Sequence, residues 1–166
     1  VQSSVTYILG ATLENQTLIG TGGVAGTGNT LANVITGNTG ANKLYGLAGA
    51  DTLDGGKGAD ILYGGADSDT FLRHSTAEGK DTIFDFQTGA GGDVLDISDV
   101  LTGYVDGASD PNQFVLCVAS GANTIVRVDA NGAAGGAAFV DLCVLTGVTT
   151  TLTSLITDGN IDLASP

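Results

Sequence analysis

Gly28-Asn-Thr-Leu-Ala-Asn33-Val-Ile35-Thr, Gly37-Asn-Thr-Gly40-Ala-Asn42-Lys-Leu44-Tyr45 and Gly46-Leu47-Ala-Gly49-Ala-Asp51-Thr-Leu53-Asp54 are three consecutive units of nine residues. Gly55-Gly56-Lys-Gly58-Ala-Asp60-Ile-Leu62-Tyr63 and Gly64-Gly65-Ala-Asp67-Ser-Asp69-Thr-Phe71-Leu72 follow without a slip in spacing. The first place of every unit is glycine. The sixth is Asn33, Asn42, Asp51, Asp60 or Asp69, and the eighth is Ile35, Leu44, Leu53, Leu62 or Phe71. A flexible Gly-rich linker has no reason to keep an aliphatic column at a fixed spacing.

A period of nine suits about three strand residues followed by a six-residue turn, wound as a flattened parallel coil. Strand alternation turns the eighth-place side chain inward and its neighbours out, so the aliphatics stack into a narrow core. The turn glycines let backbone carbonyls crowd around the sixth-place carboxylate. A cage of carboxylate and carbonyl oxygens suits a hard cation with six to eight ligands, which is Ca²⁺ rather than the tighter octahedron of Mg²⁺. Asp54 and Asp67 stand off the sixth place and read as a solvated acidic face.

These units resemble the RTX (repeats in toxin) calcium-binding nonapeptide G-G-x-G-x-D-x-U-x, and Gly55–Tyr63 matches it at every position. Leu47 replaces the second glycine of its unit and Asp67 the third of its own. The two earliest units carry Asn for Asp. The resemblance implies several calcium ions held by Gly46, Gly49, Asp51, Gly55, Gly56, Gly58, Asp60, Gly64, Gly65 and Asp69, with Asn33 and Asn42 the weaker members. In that family turns two units apart share an ion, so Gly46 pairs with Gly64 and Gly37 with Gly55. After the array, Gly79-Lys-Asp81-Thr-Ile83-Phe-Asp85-Phe86 and Asp93-Val-Leu95-Asp96-Ile97-Ser98 are similar to the stretch that ends RTX arrays. By that resemblance Asp81 completes the last calcium site.

The expected fold is all-β: a parallel β-roll with a β-rich C-terminal capping and secretion domain. Residues 1–27 form a short-strand lead-in, 28–72 the roll, and 73–166 the cap with the export signal. Thirteen of the eighteen acidic residues lie between 51 and 110, where a stacked coil needs its terminal cap. Downstream, 113–118, 124–128, 138–145 and 152–156 read as strands or a short final helix, with a hairpin turn at Asp129-Ala-Asn131-Gly132. Cys117 and Cys143 read either as buried apolar filler or as a disulfide between neighbouring strands.

Composition narrows the function. A net charge of −13 repels nucleic acid and anionic membrane surfaces, and no apolar run is long enough to span a membrane. Met is absent, so the chain reads as a processed product or a piece of something larger. Its first residues show no export signal. The single His74 lies beside Arg73 with no nucleophile pattern nearby, and Gly79-Lys80-Asp81 lacks the rest of a P-loop. Catalysis within this chain is not expected, whatever the parent does.

The resemblance then implies the calcium-binding C-terminal module of a bacterial type I secreted protein, an adhesin or a toxin or an enzyme. Such a module folds on meeting extracellular calcium and engages the ABC export apparatus through an uncleaved signal within Leu145–Pro166. The alternative is a polysaccharide- or surface-binding module like the RTX-containing R-modules of alginate epimerases, for which Tyr45 and Tyr63, both at the ninth place, would form an outward aromatic pair.

Overall fold

A computed structural model describes residues 1–132 and 138–164. In chain order the strands begin with β1 (Gln2–Ser3), β2 (Tyr7–Ile8), β3 (Asn15–Leu18), β4 (Ala25–Thr27), β5 (Val34–Thr36), β6 (Lys43–Ala48), β7 (Thr52–Asp54) and β8 (Ile61–Ala66). They continue with β9 (Thr70–Leu72), β10 (Asp81–Phe84), β11 (Val94–Asp96), β12 (Val115–Ser120), β13 (Asn123–Val128), β14 (Val140–Leu145) and β15 (Ile161–Asp162), with one α-helix among the described residues, α1 (Leu152–Asp158), and two short 3-10 turns, Ser98–Val100 and Pro111–Gln113.

From β1 to β11 odd and even strands separate, as a coil that crosses from one face to the other on each half-turn requires. One sheet runs β1-β3-β5-β7-β9-β11-β15, and the other β2-β4-β6-β8-β10-β14 before turning antiparallel into β13 and β12. Within the roll every pairing is parallel, and in the repeat partners lie eighteen residues apart: Ile35 opposite Leu53, Leu53 opposite Phe71, Leu44 opposite Leu62. The molecule is therefore an all-β parallel roll, and the two sheets run past both ends of 28–72.

The eighth-place column is the core. Ile35, Leu44, Leu53, Leu62 and Phe71 are each fully buried, and Ile83, Leu95 and Leu145 extend the two rows they form. At the N-terminal end the rows close with Gln16 and Gly26. A β-carbon on Gly26 would press on Gln16 Oε1 and Ile35 Cγ2, each at 3.1 Å. Gln16 folds beneath it and donates to the Tyr7 carbonyl at 3.2 Å.

The C-terminal segment is woven into this body. Helix α1 is capped at its start by the Thr151 side chain, which accepts from Ser154 N, and at its end by Gly159 in the left-handed region, φ 75°. It buries Leu152 and Leu155. Strand β15 then pairs with β11 as the last strand of its sheet. The tight hairpin turn falls at Gly121-Ala122, where Ser120 faces Asn123, rather than at Asp129–Gly132. A turn does form there, with Gly132 N bonding to Asp129 O at 3.1 Å, but the connection to β14 is longer, and 133–137 lie outside the described residues.

Cys117 and Cys143 are free thiols. Both sit opposite Val126, one from each side of β13, so they are two strand spacings, roughly 9–10 Å, apart. A disulfide needs Cα atoms within about 7 Å. The disulfide reading is excluded in this arrangement, and the apolar role fits: burial pushes both thiols up, Cys117 to about 11. No helix among the described residues is long and apolar enough to cross a membrane.

Candidate metal centre

The turns between the sheets form two edges. On one, turns ending at Asn33, Asp51, Asp69 and Asp93 stack upon one another. On the other the stack runs through Asn42, Asp60 and Asp81. The register that aligns the core sets this spacing, so the periodicity that buries Leu53 also piles up the carboxylates.

Each carboxylate of the two stacks uses one oxygen to tie its turn to the turn before. Asp51 Oδ1 accepts from Asn33 N at 2.7 Å, Asp69 Oδ1 from Asp51 N at 2.9 Å, and Asp93 Oδ1 from Asp69 N at 3.0 Å. On the second edge Asp60 Oδ1 accepts from Asn42 N at 2.7 Å and Asp81 Oδ1 from Asp60 N at 2.9 Å.

The second oxygen decides the chemistry. Oδ2 of Asp51, Asp60 and Asp69 is buried with no hydrogen-bond partner. Leaving one buried ionised oxygen unpaired costs several kcal/mol, so two stacked on one edge and a third on the other call for cations. Their surroundings fit one. A β-carbon on Gly46 would strike Asp51 Oδ2 and come within 2.5 Å of the Gly64 carbonyl oxygen. One on Gly55 would fall 2.5 Å from Asp60 Oδ2, and one on Gly64 would strike Asp69 Oδ2. The first-place glycines thus keep open a space lined by oxygen, as hard-cation ligation needs. Among the described residues no three His, Cys, Asp or Glu side chains converge on one point. Such a cage has one carboxylate per turn, and backbone carbonyls must supply the rest.

Burial acts directly on these acids. It lifts the Asp51 and Asp60 carboxyls from 3.8 to about 6 and that of Asp69 to about 7, against the backbone N–H groups that each accepts. Around Asp69 the nearby Asp93, Asp51 and Asp85 raise it further. Burial likewise raises Asp85 and Asp93.

Substitutions within the repeat keep its backbone. Leu47, at a second place, has φ 87°, and Asp67, at a fourth place, has φ 76°, in the left-handed region where Gly56 (75°) and Gly58 (121°) sit in the intact unit. Each costs ~1–2 kcal/mol. Asp67 Oδ2 accepts from Gly49 N at 3.1 Å, and Asp54 Oδ1 from Gly56 N at 2.9 Å.

The amide units differ. Asn33 Oδ1 accepts from Asn29 N at 2.7 Å, and its Nδ2 donates to the Leu13 carbonyl and to Asn29 Oδ1. Asn42 Oδ1 accepts from Asn38 N at 2.8 Å, and its Nδ2 donates to the Val24 carbonyl at 3.1 Å. Asn29 and Asn38 donate to further carbonyls of the first turns. Amide nitrogens here meet the oxygens that later turns leave open.

Asp81 and Asp93 close the two stacks. Asp81 Oδ2 is taken by Arg73 Nη1. Asp93 Oδ2 accepts from Gln87 N at 2.8 Å, and the Asn160 side chain donates to the Asp93 carbonyl at 2.7 Å. Sequence reasoning did not single out Asp93, Gln87 or Asn160. The last turns, 73–81 and 85–93, are longer than the repeat's, so these residues escape a nine-residue count.

On the outer face of the second sheet Tyr45, Tyr63 and Phe84 stack ring on ring, with centroids 4.9 Å apart at both steps. The expected tyrosine pair is thus a stack of three, and each inner ring face is spent on its neighbour. His74, in the turn after β9, has Nδ1 2.7 Å from Asp99 Oδ2 and Nε2 3.6 Å from Asp54 Oδ2. The Asp99 contact raises its pKa.

Comparison with known proteins agrees with this geometry. Residues 27–62 and 36–71 match the family model for the RTX calcium-binding nonapeptide repeat (4 copies). No curated protein gives a significant match. Among solved structures, the AlgE6R3 subunit of the Azotobacter vinelandii mannuronan C5-epimerase is similar over 96% of this chain and 83% of its own, at 27% identity and TM-score 0.54. The AlgE6R2 subunit from the same organism is similar over 87% of this chain and 94% of its own, at 28% identity and TM-score 0.52. The nine-residue units at the centre of this roll thus match the RTX calcium-binding nonapeptide repeat.

Proposed function

We propose that the chain is a calcium-triggered folding module, non-catalytic in itself, that stays unfolded where calcium is scarce and folds once exported into calcium. The observation that carries this is the set of buried, unpartnered oxygens on Asp51 and Asp69 of one edge and Asp60 of the other. No described residue supplies a donor for any of them, so a folded, ion-free roll at neutral pH bears buried charge that a narrow aliphatic column offsets poorly. Gly46, Gly49, Gly55, Gly56, Gly58, Gly64 and Gly65 shape the cages and lend carbonyls, and Ca²⁺ supplies the missing positive charge. Extracellular modules with such ligands bind at roughly 10⁻⁴ to 10⁻³ M, so binding energy becomes folding energy outside the cell. Export through a type I (ABC) apparatus, read from residues 145–166, completes this reading.

Amide hydrogen exchange tests it. Residues 28–72 should exchange freely in chelator at neutral pH and become protected in calcium. Equal protection in both conditions would refute the switch.

A second reading, polysaccharide binding at a cell surface, is favoured by the two structural relatives, which are subunits of a mannuronan C5-epimerase. Mannuronan is acidic and this chain carries five Lys and Arg in all. The reading would therefore need the edge of the Tyr45–Tyr63–Phe84 stack, with Lys43 beside it on β6. Binding of mannuronan oligomers in calcium, lost on changing both tyrosines to Ala, would establish it. No binding would remove it.

A further inference from the structure

We infer that Arg73 is a built-in cation standing where the repeat would place a metal ion in the last turn of the second edge, so that the Asp81 cage is closed to calcium. This rests on the calcium reading above. Gly28, Gly37 and Gly55 each directly follow a strand of the roll and occupy the first place of a turn, while Gly46 and Gly64, at the same place of their units, lie within β6 and β8. Strand β9 ends at Leu72, so the residue in that place for the turn 73–81 is Arg73. Alignment from the other end agrees: Asp60 N bonds to Asp81 Oδ1 at 2.9 Å, and a β-carbon on Gly79 would strike the Gly58 carbonyl, which stacks Gly79 on Gly58 and Asp81 on Asp60.

In the preceding turn a β-carbon at the first place would point at that turn's own carboxylate, 2.5 Å from Asp60 Oδ2. Arg73 has the side chain that Gly55 lacks, and it follows that path. Its guanidinium is buried, with Nη1 on Asp81 Oδ2 and Nη2 donating to the Gly79 carbonyl at 2.5 Å; Nε lies 3.8 Å from Glu78. A carboxylate oxygen and a backbone carbonyl of the same turn are the kind of ligands that a calcium ion takes in the turns before it. Here a fixed positive charge of fork geometry binds both.

The carboxylates of the two stacks divide in the same way. Asp51, Asp60 and Asp69 each keep a buried Oδ2 without a donor, whereas Asp81, on the same ladder as Asp60, does not. The metal-dependent turns are thus bracketed by protein donors: the Asn33 and Asn42 amides before them, and after them Arg73 on one edge and Gln87 N on the other. The C-terminal end of the second edge holds its carboxylate without an ion.

Native mass spectrometry of the full chain in calcium, comparing wild type, Asp81→Asn and Arg73→Gly, tests this. Asp81→Asn should keep the wild-type ion count, and Arg73→Gly, which restores the repeat's own first residue, should add one ion. Loss of an ion in Asp81→Asn, or an unchanged count in folded Arg73→Gly, would overturn the assignment. If Arg73→Gly does not fold, Asp81→Asn alone decides. A wild-type chain that binds no calcium would instead overturn the calcium reading.

Discussion

Protons should do part of calcium's work. In the ion-free roll the Asp51 and Asp60 carboxyls sit near 6 and that of Asp69 near 7, against 3.8 for the free side chain, because burial disfavours their charge. A folded-state pKa raised above the unfolded one means that the folded chain holds more protons across that interval. Its stability is therefore complete below about pH 4 and falls as pH rises towards 7. At ~1.4 kcal/mol per unit the penalty at neutral pH is about 3 kcal/mol for each of Asp51 and Asp60 and about 4 kcal/mol for Asp69. Together this is on the order of 10 kcal/mol, comparable with the whole stability of a small domain. Three calcium sites at a hundredfold excess over Kd would return about 8 kcal/mol. The assay is far-UV circular dichroism and urea unfolding of metal-stripped protein in chelated buffers from about pH 8 down to about pH 4. The β signal should be weak at the alkaline end and grow through the interval between about 7 and 4. The triple variant Asp51→Asn, Asp60→Asn, Asp69→Asn should remove the share these three carry and leave that of Asp81, which burial lifts to about 7, and of Asp85 and Asp93. Ion-free stability unchanged between about pH 8 and pH 5 would refute the argument.

Asp60→Asn keeps an oxygen for Asn42 N and deletes the buried charge, so the ion-free protein should gain up to about 3 kcal/mol in urea unfolding while titration calorimetry shows weaker calcium binding. Leu53→Ala, in a fully buried site between Ile35 and Phe71, should cost about 2–5 kcal/mol of calcium-loaded stability, read as a fall in the urea midpoint. Residues 145–166 appended to a passenger should direct it through an ABC export system. If the passenger stays inside cells that export the full chain, the export signal lies elsewhere.

Much of the roll was legible in the sequence because one period fixes two structures. Strand alternation turns the eighth place inward, and the same period stacks the sixth place, so Ile35–Phe71 and Asn33–Asp69 announce core and cages together. Legibility ended where the period ended. The turns 73–81 and 85–93 keep the stack with longer loops, which hid Arg73 at a first place and Asp93 at a sixth. A signal was present earlier in the chain: Asn29 and Asn38 stand at second places, where Gly56 and Gly65 stand later, and with Asn33 and Asn42 they provide the amides that fill the first turns. The helix at Leu152–Asp158 was marked by Thr151 and Gly159 at its caps, yet its apolar run fits a strand equally well until β15 is seen to dock on β11. The third ring of the outward stack, Phe84, falls outside the repeat and aligns with Tyr63 only through the β8–β10 register.

The most direct test of the central claim is a calcium titration of the metal-stripped chain at neutral pH, followed by far-UV circular dichroism with magnesium as control. A cooperative coil-to-β transition at sub-millimolar to millimolar calcium, absent with magnesium, is the predicted result. Full β structure in excess chelator would contradict it, since the buried oxygens of Asp51, Asp60 and Asp69 would then be tolerated without any ion.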